Sequence, residues 1–471
     1  MSRMRERLLR HRASREEALE RESAECDKAE ASARLDETEE TEETVCTVHN
    51  VQHADAEASE TEPLPLLWEG LDVRLIHTSN GPFLRREARY PMSYRHGLHS
   101  LSELGAAVKG LAAFRAIGQF ERSRDIRQEQ FNAAVRVPLD AGKVLFLDLE
   151  TTGLGVGTGN VPFMVGIAYA EGEAFVVEQM LIRHPAEERA MLTYLCDKLP
   201  SFTHLVTYNG RTFDWPVLLN RLILNGFRKF QWEPVHIDLL HPSRSIWRNT
   251  LVSCRLSHVE EERLGITRND DVPGALAPAI YFQFLADQQP GPLLGVFRHN
   301  ETDMLSLACL AIRFGHLLSG QLEAYVPQQP QSEELLRTGL WLEKMGAVEL
   351  AEPLLAQLAE DEQAEPGCLF LLADRDKKCG NWPRAVLLWQ KVVQAAERSH
   401  WPDWRAHIEL SMYYEHRTKQ LQSALLLAES ALSFAQKRMA GLRLDAKRRQ
   451  ELEGIRKRVD RLRHKIGRLS G

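Results

Sequence analysis

Residues 146–154 read FLDLETTGL, and the fold class follows from how that stretch continues the apolar run Val144–Leu149. Along a strand, successive side chains point to opposite faces. Asp148 and Glu150 therefore share one face, while Leu147 and Leu149 share the other. Two carboxylates at i, i+2 on an otherwise apolar strand are costly to keep as bare anions away from water. Hard divalent cations with oxygen ligands are the usual partner of such a pair. The bland alternative is a pair of strand-end carboxylates in water.

Working outward, Phe163–Ala170 is a second apolar strand, and the turn Glu171-Gly172-Glu173 leads into a third, Ala174–Ile182, as hairpins do. Ala186–Leu199 has helical periodicity, and His204–Tyr208 is another strand. A helix is expected from Trp215 to Asn225, with Pro216 in its first turn and Gly226 just past its end. Three meandering strands, a helix, a strand and a helix predict an α/β fold, a mixed sheet flanked by helices.

Two further stretches carry acids. In YNGRTFDWPVLLNRL, from Tyr208, Asp214 stands where a Gly-containing loop enters the helix. An Asp before a Pro-started helix is equally a favoured N-cap, so that reading stays open. In RHNETDMLSLACL, from Arg298, His299 and Asp303 are i, i+4 on a helical pattern and lie on one face. An imidazole within a turn of a metal-binding carboxylate is placed to take a proton from water. A lone helical histidine is also commonly structural. The glycines 155, 157 and 159 lead into a strand rather than a helix and no GK[ST] follows, which excludes a phosphate-cradling loop.

Together, these three acidic motifs resemble the DEDD superfamily of 3'→5' exonucleases, which have the ribonuclease-H-like fold. The resemblance implies that Asp148, Glu150, Asp214 and Asp303 are ligands of two Mg²⁺ or Mn²⁺ ions and that His299 is the general base. It implies release of nucleoside 5'-monophosphates by two-metal chemistry. In the histidine branch four residues separate the base from the last Asp. Here only Asn300, Glu301 and Thr302 do, the spacing of the tyrosine branch with His in its place.

VLFLDLETTGLGVGTGNVPFMVGIAY, HIDLLHPSRSIWRNTLVSCRLSHVEEERLGITRNDDVPG and HNETDMLSLACL are more closely similar to the YprB-like ribonuclease-H-like proteins, several of which carry C-terminal tetratricopeptide (TPR) units. That resemblance spans roughly residues 80–320 well and the repeats loosely. It implies that Thr151 and Leu154 meet the terminal nucleotide and that Asn209 steadies the site. Asp238 is either a second acid behind the ligands or a structural residue. Arg211, Arg244, Arg248, Arg255 and Arg298 are candidates to hold the phosphodiester backbone.

The chain has 471 residues, about three units at ~150 residues per domain. With 44% hydrophobic and 27% charged residues it can build a sizeable core. It has no apolar run of about 18 residues, which excludes a transmembrane helix. No apolar stretch follows the basic N-terminal residues, which argues against a secretory signal. Its seven cysteines form no CxxC pair, so neither a disulfide framework nor a zinc site is indicated. The expectation is a reduced, cytoplasmic, soluble protein.

The net charge of −7 is unevenly spread. Residues 1–62 hold 18 Asp/Glu and 9 Lys/Arg with no aromatic residue, and are expected to be a disordered acidic tail. From Lys437 onward there are 13 Lys/Arg against 4 Asp/Glu. Between these, Ala351, Ala385 and Ala424 recur at 34 and then 39 residues in helix-turn-helix patterns. The first separation is the TPR period, and the second needs an insertion near Ser399–Asp403. A generic helical bundle is the alternative. Leu452, Ile455, Val459, Leu462, Ile466 and Leu469 form an apolar seam on the last helix, which is expected to cap the array.

The expected organisation is an acidic tail (1–62), an extension packing on the nuclease domain (63–142), a ribonuclease-H-like domain (143–325), and TPR-like repeats with a basic terminal helix (330–471). The expected function is a 3'→5' exonuclease acting on a single-stranded 3' end of DNA or RNA, with a protein partner on the repeats. The rivals are an inactive scaffold working through its repeats and a structure-specific endonuclease using the same acids.

Overall fold

The computed structural model describes residues 64–470 apart from 117–123, 154, 156, 158, 270, 322–330, 400–402 and 440–445. The expected acidic tail lies outside the described residues.

A hairpin of β1 (Val73–Thr78) and β2 (Gly81–Pro91) comes first. A two-stranded ribbon, β3 (Arg95–His96) and β4 (His99–Ser100), and helices α1 (Leu104–Leu111) and α2 (Arg124–Arg136) follow. The strands expected from the sequence are β5 (Val144–Thr151), β6 (Pro162–Glu171) and β7 (Ala174–Leu181). Helix α3 (Glu188–Lys198), β8 (His204–Thr207), α4 (Asp214–Leu224) and β9 (Val235–Asp238) complete the sheet region. Four helices lead out of it: α5 (Leu240–Trp247), the short α6 (Leu256–Val259), α7 (Ala277–Asp287) and the long α8 (Leu293–Leu318).

The main sheet has seven strands in the order β1-β2-β7-β6-β5-β8-β9. Neighbours are antiparallel from β1 to β5, and β5-β8-β9 are parallel. A parallel step needs a long crossover, which β6, β7 and α3 supply between β5 and β8. The expected N-terminal extension does more than pack on the sheet. Its β2 pairs with β7 from Leu84↔Leu181 to Pro91↔Ala174 and so enlarges it.

Helices cover both faces, which is why β5 and β6 read as nearly unbroken apolar runs. On β5, Val144 and Phe146 enter a core shared with α1 and α8, whereas Leu145, Leu147 and Leu149 enter a second core shared with α3, α4 and α7. Helix α8 is buried at every residue from Met304 to Leu318. That matches a helix enclosed on all sides, with Ser306, Arg313 and His316 buried among its apolar residues.

The rest of the described chain is helical: α9 (Ser332–Lys344), α10 (Val348–Glu360), α11 (Pro366–Cys379), α12 (Trp382–Arg398), α13 (Arg405–Tyr413), α14 (Leu421–Met439) and α15 (Ala446–Ser470). A π-helical turn, Tyr414–Thr418, joins α13 to α14. Ala351, Ala385 and Ala424 are each the fourth residue of the second helix of a hairpin, and all three are fully buried. A larger side chain at these positions would push the paired helices apart.

The hairpins are continuous with the sheet region. Trp247 of α5, Phe314 of α8 and Trp341 of α9 form an aromatic chain with centroid spacings of 5.4 Å. Glu334 of α9 accepts from Trp247 Nε1 at 2.8 Å and from Arg263 at 2.9 Å. At the far end, Leu452, Ile455, Val459 and Leu462 of α15 pack onto Ala424, Ala428, Ala431 and Ala435 of α14. Leu469, the last residue of that seam, has no described side chain. No helix among the described residues is long and apolar enough to cross a membrane.

Candidate active site

Strand β5 outruns its parallel neighbour. Its ladder to β8 stops at Phe146↔Val206, so Leu147–Thr151 extend past β8 while staying paired to β6. Asp148 and Glu150 lie on this overhang, on the face that Val144 and Phe146 turn toward α8. A register shift follows at Glu150/Thr151. Glu150 is buried and Asp148 partly so. Asp214 is also buried. It is the first residue of α4 and not its N-cap, which is Phe213. Asp303, one turn beyond His299 on α8, completes the group.

The charges interact strongly. Burial, then the charges of Asp303, Asp214 and Glu150, hold the Asp148 carboxyl well above the ordinary carboxylate range. Burial, then Asp303, Asp214 and Asp271, do the same to Glu150. Burial pushes Asp214 up to about 7, opposed by its backbone amide partners and helped by Asp238 and Asp303. Each anion raises the cost of the next.

Arg268 enters this cluster. It grips the fully buried Glu260 in bidentate fashion at 2.6 and 2.7 Å, and its guanidinium also pairs with Asp271 at 3.0 Å and with Asp303. Burial disfavours its charge, but Glu260 and Asp303 more than offset this and hold it above the ordinary arginine range. Asp271 flanks His299 as well, with its two oxygens 2.9 and 3.0 Å from Nδ1. On the opposite side, His299 Nε2 lies 3.6 Å from Asp303. Arg268 Nη1, which can only donate, lies 3.1 Å from the same Nδ1, so that nitrogen faces a donor as well as an acceptor.

Behind Asp148 runs a buried polar relay. Asn300 donates to Asp148 Oδ2 at 3.0 Å and accepts from Gln179 Nε2 at 3.0 Å. Gln179 accepts from Arg86 at 2.8 Å, and Arg86 and Tyr90 of β2 both donate to Glu301, at 2.7 and 2.5 Å. Gly166 stands opposite Asp148 on β6, and a Cβ there would collide with the Asn300 amide.

The remaining expected residues are placed differently. Thr151 is buried and donates to the Gly153 carbonyl at 2.6 Å, and Leu154 lies outside the described residues. Asn209 is exposed with φ +68°, and its side chain accepts from Thr212 at 2.9 Å rather than joining the acids. Asp238 accepts from the backbone amides of Asn209, Arg211 and Leu240 at 2.8–3.0 Å, which anchors the loop that presents Asp214. Arg211, Arg244, Arg248, Arg255 and Arg298 are all exposed. Sequence reasoning missed Glu260, Arg268, Asp271 and Asn300. Three of the four lie in VEEERLGITRNDDVPG, where a run of charges looks like a solvated loop.

The donor set suits a hard divalent cation. Asp148, Glu150 and Asp214 supply carboxylate oxygens whose mutual repulsion such an ion would relieve. Among the described residues, no three His, Cys, Asp or Glu side chains close into a finished cage. The fit is therefore one of chemistry and charge.

Residues 145–314 match the RNase_H superfamily. Over 390 residues the chain is 34% identical to the uncharacterized protein YprB of Bacillus subtilis (strain 168), covering 81% of this chain and 88% of that one. Among solved structures, the family B DNA polymerase from the hyperthermophilic archaeon Pyrobaculum calidifontis is similar at 14% identity with a TM-score of 0.29, over 58% of this chain and 50% of that one. So distant a likeness bears no weight on function.

Proposed function

The chain belongs to the family of Bacillus subtilis YprB, and on that footing we propose that it is a divalent-metal-dependent nuclease, a 3'→5' exonuclease acting on single-stranded ends. The observation that carries this reading is the placing of Asp148 and Glu150 on the β5 overhang, with the buried Asp214 at the start of α4 and Asp303 on α8, 3.6 Å from His299 Nε2.

Asp148, Glu150, Asp214 and Asp303 would hold two Mg²⁺ or Mn²⁺ ions. When bound, such ions lower the pKa of water and stabilise a departing oxyanion. The chain's own residues do the rest. Asp271 and Arg268 hold the His299 ring from its Nδ1 side, and its Nε2 would accept the proton of the attacking water. Asn300 holds Asp148 in orientation from a fully buried position. The exposed arginines 211 and 298 would meet the phosphodiester backbone. The helical hairpins from Ser332 would serve as a TPR-like module for a protein partner.

One observation favours a second reading, a nucleic-acid-binding scaffold without catalysis. Arg268 already pairs with Asp303 and is itself locked by Glu260. The deciding experiment is a degradation time course on end-labelled single- and double-stranded DNA and RNA with Mg²⁺ or Mn²⁺, with Asp148→Ala/Glu150→Ala alongside. Stepwise shortening by the wild type alone supports the exonuclease, and internal cuts support an endonuclease. Equal inactivity of both proteins, with metal binding to the wild type, supports the scaffold.

A further inference from the structure

We infer that the C-terminal helices carry a second binding tract, for the phosphate backbone and unstacked bases of single-stranded nucleic acid, remote in sequence from the carboxylate cluster. For the class of partner, the inference rests on the nuclease reading.

Helix α15 holds ten Lys/Arg and three Asp/Glu. Its apolar seam faces α14, and its opposite side is exposed. On that side, Lys457, Arg461, His464 and Arg468 follow one another at spacings of 4, 3 and 4, which aligns them along one face. All four are exposed. At 1.5 Å per residue the row is about 16 Å long, enough to run beside several phosphates.

A buried acid ties one residue of the row to two cations on its flank. Glu415, buried in the π-helical turn, accepts from Arg458 at 3.0 Å, Arg461 at 2.8 Å and Lys465 at 2.5 Å. Lys457 of the row pairs with the exposed Glu453 at 3.7 Å, and over the segment from Glu453 to Arg468 the Lys/Arg outnumber the acids that meet them. Cations already held in place lose less freedom on meeting a ligand.

The same turn contributes exposed His416, Arg417 and Lys419. The Arg417 guanidinium lies 4.1 Å over the Trp382 ring, and Tyr413 stacks on Trp382 at 5.9 Å and 23°. Trp382 and Tyr413 are half-buried, so what the stack leaves exposed is the Arg417 guanidinium plane, and it separates the possible partners. An anionic membrane or an acidic peptide would be served by charge alone. A stacking surface beside a phosphate row suits bases that have left a duplex.

The test is fluorescence anisotropy on the full chain in EDTA, with a 5'-labelled 20-nucleotide single-stranded DNA or RNA, across a salt series. The variant is Arg417→Gln/Lys457→Gln/Arg468→Gln, whose side chains have no buried partner. The variant should bind about tenfold or more weakly. Its log K against log salt slope should be shallower by roughly two, at about 0.7 per lost contact on a single strand. A charge-conserving Lys457→Arg/Arg468→Lys variant should bind like the wild type, and a thermal melt checks that each variant folds.

Wild-type affinity in the triple variant would overturn the inference. So would equal affinity for a blunt duplex, or equal displacement of the oligonucleotide by poly-glutamate or anionic vesicles. Because binding is read without metal, it is independent of cleavage. A wild type that binds through this tract but cuts nothing would sink the nuclease reading alone. An enzyme that cuts, but whose triple variant binds normally, would sink the tract alone.

Discussion

Asn300 donates a hydrogen bond from its side-chain amide to Asp148 at 3.0 Å, and the residue that makes room for it is Gly166, directly across the ladder from Asp148. The two strands and α8 thus fix one carboxylate oxygen from behind. Asn300→Ala should lower kcat about 10–100-fold, the usual cost of removing a residue that orients a metal-binding carboxylate. Gly166→Ala should behave the same way, because the added methyl displaces the amide. Steady-state kinetics on a labelled oligonucleotide, with a thermal melt for folding, check both. Full activity in either variant would remove Asn300 from the site.

Metal binding should be visible as stability. An ion at 100 times its dissociation constant adds about 2.7 kcal/mol. Mn²⁺ should therefore raise the melting temperature of the wild type by a few degrees. Asp148→Asn/Asp214→Asn should lose that response, and without metal should melt no lower than the wild type, because two mutually repelling buried acids are gone.

Arg268 has a structural duty whatever its part in chemistry. Its removal would leave Glu260 buried without its bidentate partner. Arg268→Gln should destabilise the protein by about 3–5 kcal/mol, as for other broken buried ion pairs. Urea titration measures it. A loss below about 1 kcal/mol would mean that Glu260 finds water or another cation.

Two histidines give the pH response a sign. Burial lowers His96 to about 4, against the pull of Glu260, and burial also lowers His236 to about 4. Both are neutral in the folded protein, whereas the unfolded chain takes up protons below about 6.5. The contribution of these two histidines to stability should therefore be greatest above that value and fall as the pH drops toward 4. It is opposite in sign to that of Asp148, Glu150 and Asp214, whose raised carboxyls favour the folded chain as the pH falls. His96→Gln/His236→Gln should flatten this dependence between pH 6.5 and 4.5 in urea melts. An unchanged slope would place the acid sensitivity elsewhere.

The sheet region and the helical hairpins should melt together. Glu334 serves both Trp247 and Arg263, and the aromatic chain Trp247–Phe314–Trp341 crosses the same junction. Calorimetry should show one cooperative transition over both regions, with Glu334→Ala costing about 3 kcal/mol. Two resolved transitions would show the junction to be weak.

The sequence was most readable where local pattern and tertiary role coincide. β5, β6 and β7 are apolar because helices cover both faces, and Asp148 and Glu150 stand out against that background. Strand β2 was hidden because Arg85, Arg86, Glu87 and Arg89 break the apolar alternation. One of these, Arg86, is there to reach Gln179 and Glu301. β9 is only four residues long, too short for a period to show. Asn300 and Arg268 could not be picked out, since their meaning comes from Asp148, 152 positions away, and from Glu260 and Asp303. The alanine spacing did locate the second helix of each hairpin, because only a small residue fits at those contacts.

The junction at Trp247 and Glu334 also sets a length scale. On the proposed reading the terminal helices grip and the β5 overhang cuts, and the packed hairpins between them limit how far the two can shift relative to each other. A strand long enough to reach both is held at two points, and it loses one of them as it shortens. Digestion should then slow at a defined remnant rather than run evenly to mononucleotides, and the size of that remnant would gauge the span between the two sites.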